Sequence, residues 1–595
     1  MFKMIKKVED ILVLLVFILI SVIPAVEIIS RFSGVNLISA SPVLVQHLTL
    51  WIGFLGAVIA TRENRLLSLS SRPLFSDDDE FHLGRWISKM VSFLVVVVLL
   101  WGSIQLVWIE FQFPIKIAPG LPRWAAQLIM PFSFSLIALQ ILIASGKSMK
   151  YRASIFLVAA FLLLIQYSGN LNESILITWF SFGIIVISLL FGTPIFVGLG
   201  GIAALFFWHN FIPVSAIPAE TYRIVVSPTL PTIPLFTLTG YILAESGASK
   251  RMMKLFQSAF GWVPGGTPII VVIVSGFFTA MTGGSGVTIL ALGGLLYPML
   301  RKEGYSELFS LGLITVAGSL GLLFPPSLPA IIYSVTAGVS VKDVFIAGII
   351  PGILLVGLVS GWAIYQGKLQ KISRTPFSFI KLRDSVWESK WELSIPVFIL
   401  FGIFGGFTTL VETASIIVIY SAFIEIVVYK DLTIKEIPKI IFDCASLIGG
   451  ILIILGAAMG LTSLLVDAQI PLLILAWVQS TITSKYLFLF MLNILLLVVG
   501  TLMDIFSAII VIVPLIIPLG AYFGIDPVHL AIIFIANLEL GFLTPPVGMN
   551  LFISAYRFNK TMPEVYKATL PFFIVRLLAV LAITYLPFIS LWFVR

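Results

Sequence analysis

Gly321-Leu322-Leu323-Phe324-Pro325-Pro326 and Gly541-Phe542-Leu543-Thr544-Pro545-Pro546 are two versions of one phrase, 220 residues apart. At the same offset Gly240 meets Gly460, Pro298 meets Pro518, Ser334 meets Ser554 and Pro351 meets Pro571. Several matches at one spacing, without a gap, mark an internal repeat. Each phrase lies inside an apolar run. Proline removes a backbone donor and blocks the preceding turn, so both runs are predicted to break. The carbonyls of Gly321, Phe324, Gly541 and Thr544 should then lose their helical partners. Matching breaks in two halves of an apolar chain are the pattern of a transporter binding site.

The rest of the chain supplies the solvent in which such breaks matter. Of 595 residues, 59% are hydrophobic and 11% charged, with a mean hydropathy of +1.11. A soluble domain carries about a quarter charged residues, and this much apolar surface needs lipid around it. The fold class expected is an all-α polytopic membrane protein. The net charge of +8 does not point to nucleic acid, because Lys and Arg cluster in short gaps between apolar segments and so report topology. A single cysteine, Cys444, excludes a disulfide within the chain. The four histidines (His47, His82, His209 and His529) show no ligand spacing, so no transition metal is expected. Neither H-E-x-x-H nor G-x-S-x-G occurs, and no enzyme activity is expected.

Four helices fit the first block, at roughly 10–30, 42–60, 86–110 and 124–146. Lys3, Lys6 and Lys7 precede the first, Arg62, Arg65, Arg72 and Arg85 follow the second, and Lys147, Lys150 and Arg152 follow the fourth. That alternation places the N-terminus and the end of the block in the cytoplasm. A further apolar helix, Ala153 to Gln166, leads to an uncharged-or-acidic loop, Tyr167 to Glu173, placed outside. The domains expected are 1–150, a four-helix block; 151–172, a connecting transmembrane helix; and 173–595, a transporter domain with repeats at about 230–360 and 450–590. A basic loop from Lys368 to Lys390, placed in the cytoplasm, separates the repeats.

Two further breaks occupy matching positions. Thr282-Gly283-Gly284-Ser285-Gly286 interrupts an apolar hairpin between Ile269 and Leu300, and Gly500-Thr501-Leu502-Met503-Asp504 does so in the second half. Freed carbonyls suit a small hard cation, and the exposed start of a half-helix suits a carboxylate. Asp504 has two readings, an intramembrane functional acid and an N-cap for the segment from Ile505, and both stand. Glu245, Glu412, Asp467, Glu539 and Arg576 read as interfacial or structurally paired.

At these residues the chain resembles the tripartite ATP-independent periplasmic (TRAP) transporters. Gly500-Thr501-Leu502-Met503-Asp504 is similar to the family's G-T-x-M-D. Gly524 to His529, Asn537 and Gly541 to Asn550 are similar to its most specific large-subunit signature. Pro234-Leu235-Phe236 with Gly240 and Gly247, and Gly406 to Thr409 with Glu412 and Ala414, resemble further motifs. Arg31-Phe32, Trp51, Gly53, Gly56 and Arg62 resemble the small subunit, with Gln46 where an acidic residue is usual. Both subunits on one chain resemble the fused permeases best known for sialic acid.

The resemblance implies a bacterial inner-membrane, multi-pass permease, lodged among membrane lipids, that takes up an organic acid with Na+ as coupling ion. Its fold would be inverted repeats with a scaffold and a mobile domain moving as an elevator. It implies sodium binding by Thr282, Ser285, Gly321, Phe324 and Pro326 at one break, and by Gly500, Gly541, Thr544 and Val547 at the other. Substrate would bind at Thr282, Gly283, Ser327 and Asp504. Thr282 and Gly284 stand where the family often has serines. A separate periplasmic substrate-binding protein would deliver the organic acid. Sialic acid is the first expectation; C4-dicarboxylates, other sugar acids and a symporter working without a binding protein are the alternatives.

Overall fold

A computed structural model describes residues 2–33, 38, 40–68, 83–145, 149–168, 174–263, 265–370, 376–545 and 548–594. Among the described residues the regular structure is helical apart from a two-stranded ribbon, and they include ten helices long and apolar enough to cross a membrane. Large side chains such as Trp101, Ile353 and Phe490 stand exposed on them, as expected where lipid replaces water as the neighbour. The chain is an all-α polytopic membrane protein. It divides into two compact units, Met1–Pro234 with Ile441–Pro471, and Leu235–Ile440 with Leu472–Arg595.

The first unit holds α1 (Phe2–Ser33), α2 (Ser41–Arg62), α3 (Leu83–Gln112), α4 (Arg123–Gln127) and α5 (Ile129–Ala144). α6 (Met149–Ser168), α7 (Ile175–Leu190), α8 (Ile195–His209) and α9 (Ala216–Val225) follow. The ribbon pairs Lys116–Ala118 with Leu121–Pro122 around Gly120. Residues singled out in the first block are structural ties. Trp51 Nε1 donates to the Ala126 carbonyl at 3.1 Å, and Arg62 pairs with Glu9 and Asp10 at 3.0 and 3.1 Å. Gly56 is where this unit's 441–471 segment crosses α2. A Cβ there would fall on the Ala445 carbonyl and 3.0 Å from Gly449 Cα, a small-residue crossing of the kind that packs membrane helices.

In the second unit, α10 (Thr232–Glu245) and the amphipathic α11 (Ala248–Phe260) precede α12 (Gly266–Thr282) and α13 (Ser285–Lys302). Then come α14 (Glu307–Ala317), α15 (Leu328–Ala337) and the long α16 (Val341–Leu369). The basic stretch after it, read from sequence as a loop, contains a short helix, α17 (Phe379–Glu388), with no buried residue. Phe379, Leu382 and Val386 recur at helical spacing, which the Lys and Arg count alone does not reveal. α18 (Lys390–Phe404) and α19 (Leu410–Phe423) lead to α20 (Ile437–Asp467), most of which belongs to the first unit. α21 (Ile470–Thr481), α22 (Lys485–Leu502), α23 (Ile505–Tyr522), α24 (Pro527–Gly541), α25 (Met549–Phe558), α26 (Met562–Tyr585) and α27 (Phe588–Leu591) complete the chain.

Adding 220 to the start of α13, α14, α15 or α16 lands within one residue of the start of α23, α24, α25 or α26. Ser306 and Asp526, equivalent under that offset, both cap their helices with a side-chain oxygen.

Candidate functional site

Two broken hairpins build the site. α12 ends at Thr282, Gly283 turns in the left-handed region (φ 70°), Gly284 is extended, and α13 starts at Ser285. Only glycine takes that turn cheaply. α22 ends at Leu502, Met503 is extended, and Asp504 caps α23. The Pro325–Pro326 break, its peptide cis, precedes α15; in the second repeat Gly541 to Thr544 leads toward α25.

Four half-helix starts converge. A Cβ on Gly283 would lie 2.5 Å from Leu328 Cβ, so the α12–α13 turn abuts the start of α15. Ser285 Oγ donates to Asn550 Oδ1 at 2.7 Å, joining α13 to α25. The Gly548 N–H donates to the Thr501 carbonyl at 3.2 Å, joining α25 to α22, and α15 packs on α23. Each start presents orphan N–H groups and a partial positive charge. Asp504 fills those of α23, accepting from Phe506 N and Ser507 N at 3.0 Å each and from Ser507 Oγ at 2.5 Å. Ser327, fully buried, accepts from Ala330 N at 3.4 Å. α13 and α25 have Gly284 and Gly548 in the N-cap position and so no side-chain cap.

Oxygens suited to a cation lie at the same breaks. Thr282 Oγ1 is buried and has no hydrogen-bond partner among the described residues. The Phe324, Gly500 and Thr544 carbonyls accept no backbone hydrogen bond among them either. Those of Gly321 and Gly541 are not freed as the sequence suggested. Each closes a turn, accepting from Phe324 N and Thr544 N at 3.0 Å, because the chain tightens from i+4 to i+3 bonding ahead of the prolines. Thr544 Oγ1 also donates to the Gly541 carbonyl at 2.6 Å.

The glycines permit close approach. A Cβ on Gly321 would strike the Gly276 carbonyl and Ala280 N of α12, and one on Gly541 would lie 2.7 Å from Gly500 Cα of α22. Thr282, Gly283, Ser285, Gly321, Phe324, Pro326 and Ser327 thus gather around the first hairpin, and Gly500, Asp504, Gly541 and Thr544 around the second. Val547 lies outside the described residues.

Glu412 is spent in a capping box with Thr409. Glu539 and Arg576 form a fully buried ion pair of 2.9 Å. A second cluster escaped the sequence reading: Arg251 on α11 contacts Glu392, Glu425 and Asp431, and stacks 3.6 Å over the Tyr429 ring. Burial pulls the guanidinium's proton affinity down, but its Asp431 and Glu392 contacts raise it further. Acidic residues inside apolar stretches, Glu392 and Glu425, were the available signal.

Comparison with known proteins matches residues 182–589 to the tripartite ATP-independent periplasmic transporter DctM component, and residues 20–150 to the DctQ component. The chain is 28% identical over 568 residues (92% of this chain, 88% of the relative) to an isethionate TRAP transporter permease protein, DctMQ, of Oleidesulfovibrio alaskensis. It is 32% identical over 435 residues (69% and 96%) to the C4-dicarboxylate TRAP transporter large permease protein of Vibrio cholerae. It is 26% identical over 386 residues (65% and 91%) to the 2,3-diketo-L-gulonate TRAP transporter large permease protein of Escherichia coli. A crystal structure of the Alcanivorax borkumensis YdaH transporter aligns with a TM-score of 0.44 at 14% identity, over 62% of this chain and 88% of that one.

Proposed function

This chain belongs to the tripartite ATP-independent periplasmic transporter family, its small and large permease components fused on one polypeptide, and from that premise we propose that it drives organic-acid uptake with a sodium gradient. A periplasmic binding protein delivers the acid, and the permease sits in the bacterial inner membrane with its N-terminus in the cytoplasm. Na+ binds at Thr282, Ser285, Gly321, Phe324 and Pro326, and at Gly500, Gly541, Thr544 and Val547. The acid binds between them, near Thr282, Gly283, Ser327 and Asp504, and the hairpins carry it across as an elevator.

One observation carries this reading: uncapped half-helix starts and unpaired oxygens meet at the same breaks. A carboxylate takes up the orphan N–H groups of α13 and α25. A cation takes up the unpaired oxygens, and each ion favours the other's presence. By linkage, sodium then raises affinity for the acid as much as the acid raises it for sodium. The substrates named for the relatives are small organic anions. The fused layout is shared with the isethionate permease, so it does not by itself single out sialic acid, which stands beside dicarboxylates and other sugar acids.

The test is uptake of labelled organic acids into proteoliposomes, with and without the cognate binding protein and an inward sodium gradient. Uptake requiring both is the expected result. Sodium-independent uptake would overturn the coupling, and full uptake without the binding protein would favour a stand-alone symporter.

A further inference from the structure

Ser319 and Glu539 are repeat equivalents, separated by the same 220 residues as Gly321 and Gly541, and each lies two residues ahead of its break glycine. One side chain holds both. Arg576, on α26, donates through Nη1 to Ser319 Oγ at 2.5 Å and through Nη2 to Glu539 Oε2 at 2.9 Å. All three residues are fully buried. The guanidinium is shared between the two chain segments rather than forked onto one carboxylate, and Glu539 Oε1 and Arg576 Nε have no partner among the described residues. Ser319 meanwhile donates to the Val316 carbonyl at 3.1 Å, so its hydroxyl is fixed at the end of α14.

A buried ion pair is a poor way to gain stability, since apolar residues of like volume serve as well or better. Its retention calls for another account. α26 packs against both α14 and α24, the two helices that run into the breaks. The guanidinium therefore grips the helix ends that lead into both turns whose oxygens are proposed to meet sodium. Resting on the function proposed above, we infer that Arg576 is a positioning residue that couples the two cation sites. When one turn is drawn in around its ion, the shared guanidinium holds the other turn in the geometry that accepts the second. The value at the first repeat's position 356, equivalent to Arg576, is Val356, so the link exists once and serves both halves.

Sodium-activated uptake into proteoliposomes, titrated in sodium at constant ionic strength, tests this with two variants. Ser319→Ala removes only the hold on the first turn and leaves the ion pair intact. Arg576→Met with Glu539→Leu removes the link with no charge left unpaired. Both should lower the Hill coefficient for sodium toward one and raise half-saturating sodium about fivefold or more; Ser319→Ala should also melt somewhat below the unaltered protein, because it leaves the buried Arg576 Nη1 without its acceptor, so the Hill coefficient and not the melting point carries the test. Ser319→Thr, which keeps the hydroxyl, should restore the parent titration. Parent-like Hill coefficients and half-saturation in both variants would overturn the coupling role. An unaltered protein indifferent to sodium would instead sink the proposed function beneath it.

Discussion

The two broken hairpins have the same element boundaries and opposite chemistry. The first carries hydroxyls along its inner turns, Thr279, Thr282, Ser285 and Thr288; their equivalents in the second are Val499, Leu502, Ile505 and Ala508. The second instead has Asp504 where the first has Gly284. Asp504 spends its oxygens on its own helix, so α23 is born with its anion in place. α13 has none, and its first hydroxyl reaches across to Asn550. Repetition supplied two scaffolds, and the side chains then diverged: the start of α23 is capped by its own residue, and the start of α13 has no side-chain cap.

The largest effect expected is at Asp504. Asp504→Ala should abolish uptake in proteoliposomes and weaken the α23 cap by about 0.5–2 kcal/mol. Asp504→Asn caps nearly as well, so its melting temperature should hold while uptake is lost. Active Asp504→Asn would reduce the residue to a cap and erase the functional half of the contrast. Next is Thr282→Val, which removes a buried hydroxyl with no partner. Leaving such a group unpaired costs about 1–3 kcal/mol, so the variant should melt no lower than the parent while half-saturating sodium rises about fivefold. A lower melting point with unchanged sodium dependence would make Thr282 structural. Smallest is Gly500→Ala, which copies Ala280 of the first repeat into the second. Its Cβ would meet Gly541 Cα and the Leu538 carbonyl at 3.0 Å; that crowding and the roughly 1 kcal/mol gain in helix propensity should nearly cancel in a thermal melt. A large loss would mean the second crossing is tighter than the first by function, not by accident.

Local signals made much of this legible. Gly283, the prolines and Asp504 act on the backbone within a turn, and the first four helices and the breaks after Thr282 and Leu502 stand where they were expected. Trp51, Gly53, Gly56 and Arg62 could be picked out by resemblance, but not their partners Ala126, Leu452, Ala445 and Glu9. The guanidinium contacts were invisible for the same reason: Arg576 lies 257 residues from Ser319, and Arg251 174 residues from Glu425. Nothing periodic links such positions; only the fold does. The Gly321 and Gly541 carbonyls were misread because proline predicts which bond is lost, not which shorter turn replaces it.

The Arg251 cluster has a practical bearing on every sodium titration. Ions in bulk screen exposed pairs beyond about 8 Å at physiological strength and buried ones far less. Lys254–Glu388, both partners well exposed, is the sort of contact that brine dissolves; Arg251, walled in by Glu392 and Glu425 at 0% exposure, is not. The seam between α11 and the α17–α19 region should therefore stay fastened from dilute buffer to molar salt, so that a response to added sodium chloride does not come from this flank of the molecule coming unstitched.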